Sequence, residues 1–458
     1  MSSKEDENWS LWIGSTLDTF GFKQEITSFR SHCFDEFSAN VSSKSEQIYP
    51  IRFSLVGSAG EGFRHGRSDI DLLAVLINTV CLDRPMVNAH LNTLKTDYSG
   101  TAPGYTKVIL INKKSHDIRH PFHFNTMYRS TEGHPYIPSS ALQYIAIDLE
   151  INGPALSLES FLQSYIFSDM DFVFSFYFGG KEHLRKWAKR SRFYTWPQPT
   201  VLKEISSMEG YIVPVGDKPS DFQSLEWRIC YTTAEKKLVG YLNAQEQKLY
   251  ILLKMVSKTI LQPVCKAITS YVVKNVVFWI AEGTAEQQCS VNCLVFLLQK
   301  SLYFIKYCLE NNHLPNYMIP ERNLIRAGVF GKEKQSTIDF LSELLKEGGA
   351  IIVRIPKLYQ CMSYMVRSPG RAVQYGNWRD DVEKQTMKLI VQLSKNWTPF
   401  VPLEHQSSLL TAAFEGNIIA ALKYLMLLVP ELPNMILQGQ FEEIIYLLKA
   451  RLEATMLL

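Results

Sequence analysis

The stretch GSAGEGFRHGRSDIDLLAVL, Gly57 to Leu76, decides how this chain is read. Ile70 and the run Leu72, Leu73, Ala74, Val75 and Leu76 have the apolar, partly β-branched character of a buried strand bounded by turn residues. Asp69 and Asp71 sit at its start, and because strand side chains alternate they project to one face. Burying a carboxylate costs roughly several kcal/mol per ion unless something pairs with it. A solvated strand end relieves that cost, and so does a divalent metal. Upstream, Phe53, Leu55 and Val56 form a preceding apolar strand, and Gly57-Ser58 follow it directly. Small residues there let backbone N–H groups approach a ligand, and a seryl hydroxyl adds a donor. Two carboxylates beside such a turn form half of a two-Mg²⁺ site, where paired ions activate a hydroxyl and stabilise a leaving pyrophosphate.

The chain has 458 residues, 46% hydrophobic and 20% charged, with 12% aromatics, which is the make-up of folded cores rather than disorder. Its net charge of +3 creates no strong global field, so any nucleic-acid binding must come from a local patch. No run of about 18 apolar residues is present, and MSSKEDENWS leads into no apolar signal segment. The eight cysteines are scattered through apolar surroundings and read as reduced core thiols. Cys289 and Cys293 lack a second ligand pair at zinc spacing, so no structural zinc is expected. These features predict a cytoplasmic protein with no membrane segment.

Along the chain, Leu17, Phe20, Ile26, Phe29, Cys33 and Phe37 fall at helical spacing and predict one N-terminal amphipathic helix. GYTKVILIN, ALQYIAIDLEI and MDFVFSFYF read as strands. From Glu226 onward TTAEKKLVGYLNAQEQKLYILLKMVSKTIL, AITSYVVKNVVFWIAE and NCLVFLLQKSLYFIKYCLEN carry a 3.6-residue period. SPGRAVQYGN (368–377) reads as a linker, with further helical patterns in DDVEKQTMKLIVQLSKNW and GQFEEIIYLLKARLEATML. The expected division is 1–45 N-terminal helix, 46–225 mixed lobe, 226–330 helical lobe and 331–458 helical extension.

A glycine-serine turn followed ten residues later by Asp-x-Asp resembles the signature of the DNA polymerase beta-like nucleotidyltransferases. Such a site needs a third carboxylate; Asp148, Glu150, Asp169 and Asp171 are candidates, and Asp171, leading an apolar strand, is preferred over Asp148. GYIVPVG (210–216), EWRICYTTAEKKLV (226–239), QKLYILLK (247–254), SYVVK (270–274) and LPNYMIP (314–320) then follow at intervals that resemble the cGAS-like receptors of the male-abnormal (Mab) family. In that family the strand of the third carboxylate precedes a Trp-Pro element and then a Trp-Arg strand, so the resemblance supports Asp171, after which Trp196-Pro197 and Trp227-Arg228 stand in that order.

The resemblance implies an α+β, bilobed nucleotidyltransferase with an N-terminal spine helix, a mixed β-sheet lobe and a helical C-terminal lobe. It implies an enzyme of innate immune sensing that joins ATP and GTP, or two like nucleotides, into a cyclic dinucleotide. Carried over, Asp69, Asp71 and Asp171 would bind Mg²⁺ or Mn²⁺, and Gly57 and Ser58 would hold nucleotide phosphate. Arg228, Thr232, Thr233 and Glu235 would line bases and phosphates, and Lys254, Ser270 and Lys274 would contact triphosphate. The plain alternative for Lys254 and Lys274 is a solvated helix face. The family's Ser-Phe-Ser reads Cys230-Tyr231-Thr232 here, its vertebrate zinc insertion is absent, and 331–458 extends beyond its core.

The resemblance implies an enzyme switched on by a ligand; whether it dimerises on that activator stays open. The densest basic segment carries Lys181, Arg185, Lys186, Lys189, Arg190 and Arg192 among aromatic residues. It suits double-stranded RNA, or it is a solvated helix face; another activator stays open. A catalytically silent interaction protein and an RNA-tailing nucleotidyltransferase are the competing readings.

Overall fold

In a computed structural model of the chain, Phe172, Phe174, Phe176 and Phe178 are all buried along one strand, as their period-two spacing dictates. The structure describes residues 3–48, 50–63, 70–85, 90–113, 128–129, 133–140, 150–152, 155–158, 170–326, 328–395 and 426–438, with 440, 443 and 447. Helices and strands are mixed, so the chain is α+β. In chain order the described strands are β1 Ile51–Val56, β2 Ile70–Leu82, β3 Asn92–Asp97, β4 Tyr105–Asn112, β5 Tyr128–Arg129 and β6 Pro135–Tyr136. They continue as β7 Glu150–Asn152, β8 Ala155–Leu158, β9 Met170–Phe178, β10 Gly210–Val213 and β11 Glu226–Cys230. The expected strand ALQYIAIDLEI lies outside the described residues except at its end, in β7.

Two compact units divide the chain: residues 1–17, 76–154 and 173–362 form the first, and 18–75, 155–172 and 363–458 the second. In the first unit the sheet runs β2-β3-β4-β11-β10-β9, and β9 pairs additionally with β2, closing the ring. Gly179 N–H donates to the Cys81 carbonyl at 2.9 Å at that closure. Trp227 anchors the interior, its ring centroid 5.3 Å from Phe176 and its Nε1 donating to the Ile137 carbonyl at 2.8 Å.

The helices of this unit include α1 Lys4–Leu17, α4 Glu182–Lys189, α5 Pro199–Ser207, α6 Thr232–Gly240, α7 Ala244–Val256, α8 Ser270–Glu282, α9 Leu294–Glu310 and α10 Gly331–Lys346. α7 is buried all round and opens with a reciprocal cap between Asn243 and Glu246. The long helical period expected after Glu226 is therefore two helices, parted at Tyr241–Asn243. α1 is pinned to α9 through Ser10, whose Oγ accepts from Val295 N–H at 3.0 Å.

In the second unit α2, Gln24–Ile48, covers β1. Ser38 Oγ accepts from Leu55 N–H at 2.9 Å and Ser42 Oγ from Phe53 N–H at 2.8 Å, so helix hydroxyls satisfy backbone donors of the strand. The single N-terminal helix expected from the sequence is two helices: Asp18–Phe22 interrupts it, with Gly21 at φ +98°. The expected linker at 368–377 is also corrected. All of it but Ser368 lies within α12, Pro369–Ser394, which follows α11, Pro356–Arg367. Proline at the start of a helix loses no intrahelical bond, and a Cβ on Gly376 would stand 2.4 Å from the Thr19 carbonyl oxygen, so glycine permits that close packing.

α12 and α2 are joined by a buried ionic cluster. Arg30 pairs with Glu383 through Nε and through Nη2 at 2.8 Å, and also donates to the Gly62 carbonyl at 3.0 Å and to the Gly21 carbonyl. Arg379 reaches Glu383 at 2.9 Å and packs where a Gly21 side chain would be. The segment GQFEEIIYLLKARLEATML lies mostly outside the described residues.

Candidate functional site

Val56 ends β1, and the chain turns at once into the single helical turn α3, Gly57–Gly60. Gly57 has φ +63°, and a Cβ there would lie 2.2 Å from Asp71 Oδ2. Glycine is required twice over, for the left-handed backbone and for the approach of the carboxylate. The turn is held from behind by α2: Ser31 Oγ donates to the Gly60 carbonyl at 2.9 Å, and Arg30 to that of Gly62. Asp71 is the second residue of β2 and Asp171 the second of β9, two strands that pair. Asp171 is registered opposite Ser157 on β8 and faces away from the buried Phe172. Gly57, Ser58, Asp71 and Asp171 thus all belong to the second unit. Asp69, Asp148 and Asp169 lie outside the described residues.

The other expected site residues belong to the first unit. Arg228, on β11, is the register partner of Tyr105 on β4, which puts both side chains on one face. Its Nε donates to Cys230 Sγ at 3.3 Å, and among the described residues no carboxylate pairs with its guanidinium. Burial opposes its charge, but the neighbouring Cys230 and Tyr271 more than restore it and raise its pKa. Thr232 and Thr233 open α6, and the buried Thr232 Oγ1 has no hydrogen-bond partner among the described residues. A helix N-terminus with an unused hydroxyl is suited to an anion.

Lys254 and Lys274 do not lie on a solvated face: they are 8% and 6% exposed. Lys274 Nζ is 2.8 Å from Glu235 Oε2, and Tyr271 Oη donates to Glu235 Oε1 at 3.0 Å. Burial, followed by Glu235, pushes the Tyr271 phenol up. Ser270, the first residue of α8, is exposed. Tyr105 and Tyr271 were not singled out in the sequence; a tyrosine opposite Arg228 becomes visible only once β4 and β11 are paired.

The basic segment divides. Arg185, Lys186 and Lys189 are exposed on α4, and Lys181 precedes them, donating to the Ser207 carbonyl at 3.1 Å. Arg190 and Arg192 leave the expected patch. Both reach Glu282 Oε2, at 2.6 and 3.0 Å, and Tyr317 Oη donates to the same oxygen at 2.7 Å. The Arg190 guanidinium also stacks 4.4 Å from the Trp279 ring centroid. Glu282→Gln is expected to cost about 2 kcal/mol of stability, the worth of charge-assisted hydrogen bonds that become neutral. Urea denaturation of the full chain measures it, and no loss would mean that the two arginines do not depend on Glu282.

Residues 245–346 match the family model described as the Mab-21 protein HhH/H2TH-like domain. The match begins in α7 and ends at the last residue of α10, so it covers the helices that carry Lys254, Ser270 and Lys274. It supports similarity to the Mab-21 family and, with it, to a nucleotidyltransferase-like superfamily. No curated protein matches the chain. No described helix is long and apolar enough to cross a membrane.

Proposed function

We propose that this chain is a cytoplasmic nucleotidyltransferase that joins ATP and GTP, or two like nucleotides, into a cyclic dinucleotide when an activating ligand binds. The observation that carries the reading is the fit of Gly57 against Asp71: a turn able to hold phosphate is built in contact with a strand-start carboxylate. Carboxylates at the starts of two paired strands are the hard oxygen donors that Mg²⁺ takes alongside substrate phosphates. Asp71 and Asp171, with Asp69, would hold Mg²⁺ or Mn²⁺. When bound, the ions would supply a lowered pKa for the attacking hydroxyl and charge compensation for pyrophosphate.

The chain's own groups do the rest. Gly57 and Ser58 orient the triphosphate by backbone and hydroxyl donors, and Arg228 and Thr232 offer unneutralised donors to a second nucleotide. Glu235 holds Lys274 by an ion pair and Tyr271 by a hydrogen bond. The activator proposed is double-stranded RNA on the exposed face of α4, where Arg185, Lys186 and Lys189 supply the charge.

Purified chain incubated with labelled ATP and GTP, a divalent metal, and double-stranded RNA, double-stranded DNA or no ligand tests this. A phosphatase-resistant dinucleotide, lost in Asp69→Ala/Asp71→Ala, is the expected product. Primer elongation in its place would make the protein an RNA-tailing enzyme. No product and no nucleotide binding would make it a silent interaction protein.

A further inference from the structure

We propose that Arg322 is a phosphate-binding residue, acting with Arg228 around the Tyr105 ring on the same anionic group of a bound nucleotide. The inference rests on the nucleotidyltransferase reading and adds a residue to it. Arg322 is 7% exposed, yet among the described residues no carboxylate pairs with it and no side-chain hydrogen bond satisfies it. Its guanidinium carbon lies 5.3 Å from the Tyr105 ring centroid and 5.9 Å from that of Tyr271. Tyr105 is in turn the register partner of Arg228.

Three other cations of this unit have their counterions. Arg190 and Arg192 share Glu282, and Lys274 has Glu235. The carboxylate that senses Arg322, Asp217, is in direct contact with Arg326 at 3.3 Å. Cation–π contact offsets only part of the cost of burying a guanidinium, so Arg322 and Arg228 together leave two cations with no directly paired carboxylate among the described residues. A neutral base edge would leave both charges uncompensated. Phosphate oxygens neutralise them and match the planar fork of each guanidinium.

The position is also rigid. Arg322 N–H donates to the Ile319 carbonyl and its own carbonyl accepts from Asn316 N–H, both at 2.9 Å. Asn316 Nδ2 donates to Asn275 Oδ1 on α8 at 3.1 Å. Gly104, at φ +80°, clears the way for the side chain, because a Cβ there would lie 2.7 Å from Arg322 Cδ.

Calorimetric titration of the full chain with magnesium GTP, guanosine and inorganic triphosphate tests the assignment in wild type, Arg322→Gln and Arg322→Lys, alongside thermal melting without ligand. Arg322→Gln is expected to weaken GTP and inorganic triphosphate at least tenfold and guanosine less than twofold. Its ligand-free melting temperature stays level or rises, since an uncompensated charge has gone. Arg322→Lys recovers part of the triphosphate affinity. Unchanged triphosphate affinity in Arg322→Gln, or a lowered melting temperature with no change in the preference for triphosphate over guanosine, overturns the proposal. If wild type binds inorganic triphosphate in an Arg322-dependent way but no nucleotide, the anion site stands and the nucleotidyltransferase reading fails. If wild type binds neither, both fail.

Discussion

Arg30→Met is expected to lower the stability of the chain by roughly 3–5 kcal/mol, the range for stranding one partner of a buried ion pair. Arg30 is the junction of three elements of the second unit. Its guanidinium serves Glu383 on α12, the Gly21 carbonyl at the break between α1 and α2, and the Gly62 carbonyl just past the glycine-rich turn. Removing it leaves a partly buried carboxylate and two buried carbonyls short of a donor. Arg379 remains 2.9 Å from Glu383, which keeps the loss toward the lower end. Adding Glu383→Leu should return part of the stability, because a well-packed apolar pair needs no desolvation. Urea denaturation of both variants decides this, and a loss below 1 kcal/mol (roughly the worth of an exposed pair) would show that the cluster does not tie α12 to α2.

The same cluster sets an acid limit. Burial acts to raise the pKa of Glu383, but Arg30 and then Arg379 overcome it and bring it down from 4.5 to about 2. A depressed carboxylate contributes stability that is complete above 4.5 and is lost as pH falls toward 2. The shift corresponds to roughly 3 kcal/mol, so wild type should lose about that much across the window and Glu383→Gln should show a flatter profile.

The parts of the fold legible in sequence were those written in local periodicity. β9 follows from alternating phenylalanines, and α8 and α9 from 3.6-residue apolar spacing. Interruptions and long-range partners were not legible. Pro369, Gly370 and Gly376 have the composition of a linker, yet Gly376 is a close-packing residue inside α12, a role that depends on Thr19 far away in the chain. Gly21 breaks the N-terminal helix although the apolar pattern runs through it. At the site, Gly57 and the aspartates stood out because their spacing is unusual. Arg190 and Arg192 looked like surface charge because their counterion, Glu282, is about ninety residues away. The pairing of Lys274, expected to contact triphosphate or to lie on a solvated helix face, is not visible in sequence for the same reason: Glu235 lies on another helix.

Gly57→Ala should reduce nucleotidyl transfer by at least about a hundredfold while leaving the fold in place, because sub-ångström to 1 Å displacements of reacting groups carry penalties of that size. The left-handed backbone at φ +63° costs an alanine roughly 1–2 kcal/mol, which a chain of this size tolerates. The methyl group would also meet Asp71 Oδ2 at 2.2 Å. The carboxylate is the end of a side chain, so it yields in preference to the backbone, and a group proposed to hold metal turns away from its place. Gly100→Ala separates the two effects. Gly100 has φ +72° with nothing within 4 Å of its Cβ position, so it carries the same kind of strain without the collision. Gly100→Ala should lose a similar amount of stability and keep full activity, measured by denaturation and by turnover at saturating nucleotide. If Gly57→Ala retains activity within twofold of wild type, the glycine turn and the aspartate do not work as one site, and the observation on which the proposed activity rests is gone.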